Sequence, residues 1–266
     1  SNNYADLSCQ PILDDRFIKA ERYVMGALQA TRGCPHNCSF CAGRKMYGQK
    51  LRFRPIDKIV EEVKNSPFKK FYFFDDNIAA NKSYAKNLFK ALIPLNIKWE
   101  SDVPVYAAED DEFLELASKS GCQSLSFGFE SVRAENLKAI NKPFNRPEQY
   151  KEVIKNVHSH GISVVGSFMF GLDHDDETIL EEFFSFVDTS GIDAFGALVV
   201  TPYPGTPFYD MMEEEGRIIE KDWSKYDSTH IVFQPKLISI NSLYNIMLRI
   251  WMKTQQYWLK YSRRYR

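Results

Sequence analysis

Short apolar runs recur along the chain at intervals of a few tens of residues. YVMGALQA (23–30), KFYFFD (70–75), IKWESD (97–102), SLSFGFE (124–130), SVVGSFMF (163–170) and AFGALVV (194–200) each predict a strand. The stretches 56–63, 84–92, 110–117, 147–158 and 177–187 carry helical apolar spacing instead. Strands alternating with helices imply βαβ units and a parallel sheet. Gly121, Gly161 and Gly191 stand where helices would stop before the next strand. Six strands end near residue 200, and a complete eight-stranded barrel would need two more βα units. The expected fold is α/β: a partial (β/α)6 TIM-like barrel with a mostly helical C-terminal extension. A doubly wound sheet is the structural rival. The expected division is an N-terminal lead-in (1–22), a barrel core (23–207) and a helical extension (208–266). From residue 241, Tyr244, Met247, Leu248, Trp251 and Trp258 are expected on one helical face. Lys253, Lys260, Arg263, Arg264 and Arg266 make the end basic. This reads as a helix docked on the barrel, with a contact to nucleic acid or an anionic surface as the alternative.

Composition narrows the class. The 266 residues are 44% hydrophobic and 26% charged, ordinary values for a globular chain. With 34 basic and 35 acidic residues the net charge is −1, so no bulk attraction to nucleic acid or membrane is expected. No apolar run approaches the roughly 20 residues of a membrane helix. The first residues lack a signal peptide's basic start and apolar stretch, and they begin with Ser rather than Met. The chain reads as a processed form or an excerpt.

The five cysteines stand at 9, 34, 38, 41 and 122. An odd number with three inside eight residues argues against a disulfide framework and for a reduced, cytoplasmic protein whose clustered thiols bind something. TRGCPHNCSFC (31–41) places Cys34, Cys38 and Cys41 at C-x3-C-x2-C. Three thiolates in a short loop could hold zinc, with His36 or a distant residue as fourth ligand. They could equally hold three irons of a [4Fe–4S] cluster and leave the fourth open. Structural zinc favours two knuckle-like pairs, and no second CxxC exists here, so the spacing leans towards iron–sulfur.

C-x3-C-x2-C just after the first strand, with Phe40 before the last Cys, resembles the radical S-adenosylmethionine (SAM) superfamily. The resemblance implies a partial (β/α)6 barrel and a [4Fe–4S] cluster held by Cys34, Cys38 and Cys41. SAM would chelate the open iron and be cleaved by one electron to a 5′-deoxyadenosyl radical, which abstracts hydrogen from a substrate. Further motifs carry the likeness across residues 23–207. FFDDN (73–77) stands where the family contacts SAM's amino group, so Asp75 and Asp76 are candidates. SFGFES (126–131) resembles the ribose-binding motif, with Glu130 accepting from the hydroxyls. Lys142 matches a basic position that pairs with SAM's carboxylate. In GSFMFGLDHDDE (166–177), Ser167 would sit near the ribose and Met169 against adenine; the motif's acid falls among Asp173, Asp175 and Asp176. Val200 and Thr201, before PYPGTP, would border adenine. The narrower pattern is most similar to the cobalamin-associated subgroup. No D-x-H-x-x-G motif precedes the barrel, so cobalamin would have to come from an upstream domain or a partner. The implied partners are a small-molecule substrate and a low-potential electron donor such as flavodoxin or ferredoxin. The reaction would be methyl transfer or a ring-forming or oxidative modification. The rivals are a zinc-containing regulatory or nucleic-acid-binding module and, within the superfamily, a methylthiotransferase.

Each candidate also has an ordinary reading. Asp75 and Asp76 could cap the next helix, Lys142 could be solvated, and Ser167 and Met169 could be core-strand residues. His158 and His160 suit a helix end, and His36 a place beside the ligands or in solvent. His174, His230 and Tyr203 could reach substrate. Cys9 and Cys122 read as buried or incidental thiols.

Overall fold

The structure, a computed structural model, describes residues 4–12 and 19–264. In chain order the strands are β1 (Gly26–Leu28), β2 (Thr31–Arg32), β3 (Arg52–Phe53), β4 (Lys70–Phe73), β5 (Lys98–Val103), β6 (Cys122–Glu130), β7 (Ser163–Phe170) and β8 (Ala194–Val199). The helices are α1 (Gly43–Tyr47), α2 (Ile56–Asn65), α3 (Lys82–Leu92), α4 (Asp111–Lys119), α5 (Ala134–Ala139), α6 (Tyr150–Ser159), α7 (Ile179–Ser190), α8 (Pro207–Glu214) and α9 (Ile240–Arg264). Six strands form a parallel sheet in the order β1-β4-β5-β6-β7-β8. The order follows the sequence without a reversal, so the winding lacks the switch point that defines a doubly wound sheet. No described helix is long and apolar enough to cross a membrane.

The expected strands are found within three residues at each end, and β7 matches at both. Two elements differ from expectation. β2 and β3 form an antiparallel pair, Thr31 opposite Phe53 and Arg32 opposite Arg52. Two residues per strand are too few to show alternation in sequence. The pair brackets residues 33–51, which carry the three clustered cysteines. The second difference is the buried face of α9. Leu243, Ile246, Met247 and Ile250 are buried, whereas Tyr244 is 52% exposed and Leu248 and Trp258 are exposed. The apolar stripe runs one position earlier than the large aromatics suggest, because short aliphatic residues pack under the helix while the indoles reach over its side.

The chain divides into two compact units. The first comprises Ser1–His36, Met46–Phe127 and Asn156–Ser163. Its core is aromatic: Trp99 stacks on Phe89 at 4.9 Å and meets Phe73 edge-on at 5.6 Å. The buried indole N–H donates to the Ser120 carbonyl and hydroxyl, so nothing polar is stranded. Replacing Trp99 with Ala would cost about 3–5 kcal/mol. Asn81 and Asp110 cap α3 and α4 by accepting the amides of Tyr84 and Phe113.

The second unit comprises Asn37–Lys45, Gly128–Lys155 and Val164–Arg266. Phe168 and Phe195 both pack edge-on against Phe183 of α7, at 5.0 and 5.2 Å. At the β8 end of the sheet order, α9 supplies side-chain donors to a strand with no further strand beside it among the described residues. The Trp251 and Trp258 indoles each donate at 2.9 Å, to the Ala197 and Phe195 carbonyls. Lys253, expected in a solvated basic end, pairs with Asp188 at 2.6 Å.

Candidate functional site

Most of the candidate residues lie at or beyond the C-terminal ends of strands, the end where parallel β/α sheets place ligands, while Ser167 and Met169 lie in the last half of β7. In the first unit, β4 ends at Phe73 and is followed by Phe74, Asp75, Asp76 and Asn77. Asp75 is 4% exposed. Its carboxylate accepts from the amides of Ala30 and Thr31 and, at 2.6 Å, from the Thr31 hydroxyl. Asp76 is half-buried and accepts from the Gly33 amide at 2.8 Å. Two adjacent acids therefore clasp the chain that leads into Cys34. Neither caps α3; that bond is made by Asn81. Burial pushes Asp75 up to about 6, with the Thr31 hydroxyl and the two amides pulling the other way. Burial also raises Asp76, against the Gly33 amide and the charges of Arg52 and Arg32.

Gly33 has φ +92°, and a Cβ there would stand 2.5 Å from the Lys50 carbonyl oxygen. Only glycine fits both requirements. The Cys34 amide donates to the Gly48 carbonyl at 3.3 Å. Two side chains beside Cys34 escaped the motif reading. Asn77, 4% exposed, points its amide nitrogen at the Cys34 sulfur (3.8 Å) and the Tyr106 hydroxyl (3.1 Å). His36 meets the same hydroxyl at 2.9 Å. The N in FFDDN was the available signal for Asn77. Tyr106 carried none, because it follows β5 in an unremarkable PVYAAE stretch.

In the second unit, Cys38 and Cys41 sit on a segment held by main-chain groups. Ser39 donates its amide to the Ile140 carbonyl and accepts from the Phe208 amide, both at 3.0 Å. The Asn141 side chain donates to the Asn37 carbonyl at 2.7 Å. Cys34 and Cys38 are half-buried and Cys41 is exposed. Phe40 is half-buried. Among the described residues, no three His, Cys, Asp or Glu side chains gather closely enough to hold a single metal ion. A four-iron cube takes each thiolate on a different iron and so spaces them more widely.

Glu130 ends β6 in the left-handed region, φ +64°, which is uncommon for a residue with a side chain. Its carboxylate pairs with Lys142 at 2.7 Å, and both side chains are about nine-tenths buried. Lys142 also donates to the Gly128 carbonyl at 2.9 Å. A Cβ on Gly128 would fall 2.5 Å from the Glu130 carboxylate and 2.8 Å from the Lys142 ammonium, so the glycine makes room for the pair. Lys142 is thus not a solvated surface lysine.

On β7, Ser167 is half-buried and Met169 buried. Val200 and Thr201 are buried, and the Thr201 hydroxyl donates to the Val199 carbonyl. The three acids of the fifth-strand motif part ways. Asp175 is buried and accepts from Asn136 and from the Gly171 and Leu172 amides; burial pushes it up to about 6. Asp173 pairs with Arg217 at 2.8 Å. Asp176 pairs with Arg133 at 2.9 Å and is lowered to about 2 by the Thr178 hydroxyl and Arg133. Among the other candidates, Tyr203 meets the Ser228 hydroxyl, His230 meets Asp227, and His174 is exposed. Cys122 is buried, which pushes its thiol up, whereas Cys9 is exposed.

Comparison with known proteins follows the same lines. The family model described as the Radical SAM superfamily matches residues 28–187, more than half of the chain. Bacteriochlorophyllide d C-12(1)-methyltransferase of Chlorobaculum tepidum is 34% identical over 83% of this chain and 49% of its own length. Bacteriochlorophyllide d C-8(2)-methyltransferase of the same organism is 29% identical over 78% of this chain and 49% of its own. The chain thus spans about half the length of these curated relatives. Among solved structures, the radical S-adenosylmethionine methyltransferase TsrM from Kitasatospora setae, with cobalamin and a [4Fe–4S] cluster bound, superposes with TM-score 0.68. That match has 17% identity and covers 80% of this chain and 43% of TsrM, a likeness of fold. With the cysteine loop, the parallel six-stranded sheet and the family match in agreement, this chain belongs to the Radical SAM superfamily.

Proposed function

We propose that this chain is the catalytic core of an enzyme that cleaves SAM reductively at a [4Fe–4S] cluster and uses the product to modify a small molecule. The donor set fits the cluster: three thiols from one loop and no fourth cysteine in it, which leaves one iron for a bidentate ligand. When bound, cluster and SAM supply a one-electron cleavage that yields a 5′-deoxyadenosyl radical for hydrogen abstraction.

The observation that carries the reading is the buried Glu130–Lys142 pair. Two residues named from separate motifs meet at 2.7 Å at the end of β6, with Glu130 held in a backbone conformation that costs free energy. In this reading Lys142 turns to the SAM carboxylate, and Glu130 accepts from the ribose hydroxyls. Asp76 is the acid for the amino group, because Asp75 is already engaged by Ala30 and Thr31. Cys34, Cys38 and Cys41 ligate the cluster, and Phe40 shields it from water. Ser167 lies near the ribose, and Met169 and Val200 against adenine. Thr201 offers its methyl group, since its hydroxyl is spent on Val199.

The core is assigned to 23–207 and the extension to 208–266. Both relatives' names specify methylation of a bacteriochlorophyllide, so methyl transfer to a flat tetrapyrrole-like molecule is the first reaction to try. Cobalamin, from another domain or a partner, and a flavodoxin- or ferredoxin-like donor complete the proposal. The test is anaerobic reconstitution with iron and sulfide, then reduction with SAM. About four irons per chain and 5′-deoxyadenosine, both lost in Cys34→Ala, are expected. Stoichiometric zinc without a cluster would overturn the reading.

A further inference from the structure

Asn77 occupies the N-cap position of a short 3-10 turn (Ile78–Ala80), yet its side chain makes no capping bond. Asparagine at that position normally accepts an amide two or three residues on. Here the side chain is turned away, with its nitrogen towards the Cys34 sulfur and the Tyr106 hydroxyl. Its carbonyl oxygen is buried without a hydrogen-bond partner among the described residues. Forgoing a cap and stranding an acceptor are both unfavourable. They are tolerated where the two N–H groups are held in place by their acceptors.

Those acceptors form a closed arrangement. Tyr106 follows β5, Asn77 follows β4, and His36 lies two residues beyond Cys34. His36 meets the Tyr106 hydroxyl at 2.9 Å, and the two rings pack edge-on with centroids 5.5 Å apart. The hydroxyl is therefore held on both sides. A thiolate sulfur can only accept. With Asn77 donating to the sulfur and to the tyrosine oxygen, the amide nitrogen is directed by both contacts, and the His36 ring meets the same hydroxyl.

We propose that Asn77, held by Tyr106, is a positioning residue that donates an N–H···S hydrogen bond to the Cys34 thiolate and thereby raises the reduction potential of the cluster. The inference rests on the cluster reading above. Hydrogen bonds to ligand sulfurs stabilise the more negative, reduced state and so favour uptake of the electron.

The experiment is an EPR-monitored redox titration of reconstituted protein without SAM, with iron and labile sulfide counted in each sample. Asn77→Leu keeps the side chain's size and removes the donor. Its reduced-to-oxidised ratio at a fixed poise should fall about tenfold, a shift of about 59 mV to lower potential, with iron content unchanged. Tyr106→Phe keeps Asn77 but frees its amide, and should shift the ratio in the same direction by about threefold. If both variants hold iron and titrate like the parent, the proposal is overturned. If Asn77→Leu loses its iron, Tyr106→Phe decides alone: a lower potential supports the proposal and an unchanged one overturns it. Loss of the cluster from both variants also overturns it, because a residue that only tunes leaves the ligands' hold on iron intact. A parent protein that takes up no iron refutes the cluster reading itself, a result distinct from these.

Discussion

Each of the two units buries one aspartate against main-chain amides, and the two do so at very different range. Asp175 accepts from Gly171 and Leu172, four and three residues away within its own turn. Asp75 accepts from Ala30 and Thr31, about forty-five residues away. Both are pushed up to about 6 by burial. The local acid shapes the turn that follows β7. The distant one ties the end of β4 to the start of the cysteine loop, so it exists only once two strands have paired. A local clasp forms with its turn, whereas a long-range clasp couples the metal loop to the integrity of the sheet.

The largest effect should therefore come from the distant clasp. Asp75→Ala leaves two buried amides and a hydroxyl without their acceptor. At about 1–3 kcal/mol for each stranded group, partly relieved by water, a loss of about 4 kcal/mol is expected in urea unfolding of the metal-free protein. Iron uptake on reconstitution should fall with it. An unfolding midpoint within error of the parent would show that the leading limb of the loop holds itself.

The local acid should show itself through pH. A carboxyl whose folded pKa is raised binds its proton more tightly in the folded state. Its contribution is complete below about 4 and is lost as pH rises through about 6, a change of about 3 kcal/mol for a shift of about two units. Asp176 and Glu220, lowered to about 2, act in the opposite sense and in a lower window. Stability should thus climb between about pH 2 and 4 and decline between about 4 and 6. Asp175→Asn has some constant cost from its altered amide contacts. Asp75 is raised to the same value and declines in the same window, so Asp175→Asn should remove about half of the slope between 4 and 6, as read from unfolding midpoints at half-unit intervals. An undiminished slope would assign that window to other groups.

The same contrast of range explains what the sequence disclosed. The strands were legible because β7 is buried and mostly apolar while β6 carries its apolar residues in alternation from Leu125 to Phe129, signals that need no partner. The cysteine loop was legible from spacing alone. Glu130 and Lys142 were each legible as motif positions, but their pairing was not, since it depends on a left-handed residue at a strand end. The bonds from Ala30 and Thr31 to Asp75 were hidden for a related reason. An acid after a strand looks the same in sequence whether it faces a ligand or a distant backbone. The β2–β3 pair and Tyr106 left no pattern, because their partners are set by tertiary contacts rather than by periodicity.

A smaller effect is expected one step along the leading limb. Gly33→Ala places a methyl group 2.5 Å from a backbone oxygen in a left-handed conformation, so the loop must shift. A cost of about 2 kcal/mol follows from strain of that kind. Because the Gly33 amide is the donor to Asp76, the shift should also slow iron incorporation more than it lowers the unfolding midpoint. Equal effects on both would mean that the glycine serves folding alone.

The smallest effect belongs to the trailing limb, where main-chain groups do most of the holding. Asn141 donates to the Asn37 carbonyl from an exposed position and sits at φ +55°. Asn141→Gly removes that hydrogen bond, worth about 1 kcal/mol. It also relieves a left-handed side-chain residue, worth about 1 kcal/mol in the other direction. The added freedom of glycine in the unfolded chain costs up to about 1 kcal/mol. The net change should stay within about 1 kcal/mol, and iron uptake should match the parent, because the Ser39 bonds to Ile140 and Phe208 persist. Asn141→Ala, which loses the bond and keeps the strain, should be worse than the glycine variant. If the two are equal, backbone conformation at 141 is not a determinant of the loop, and the trailing limb rests on Ser39 alone.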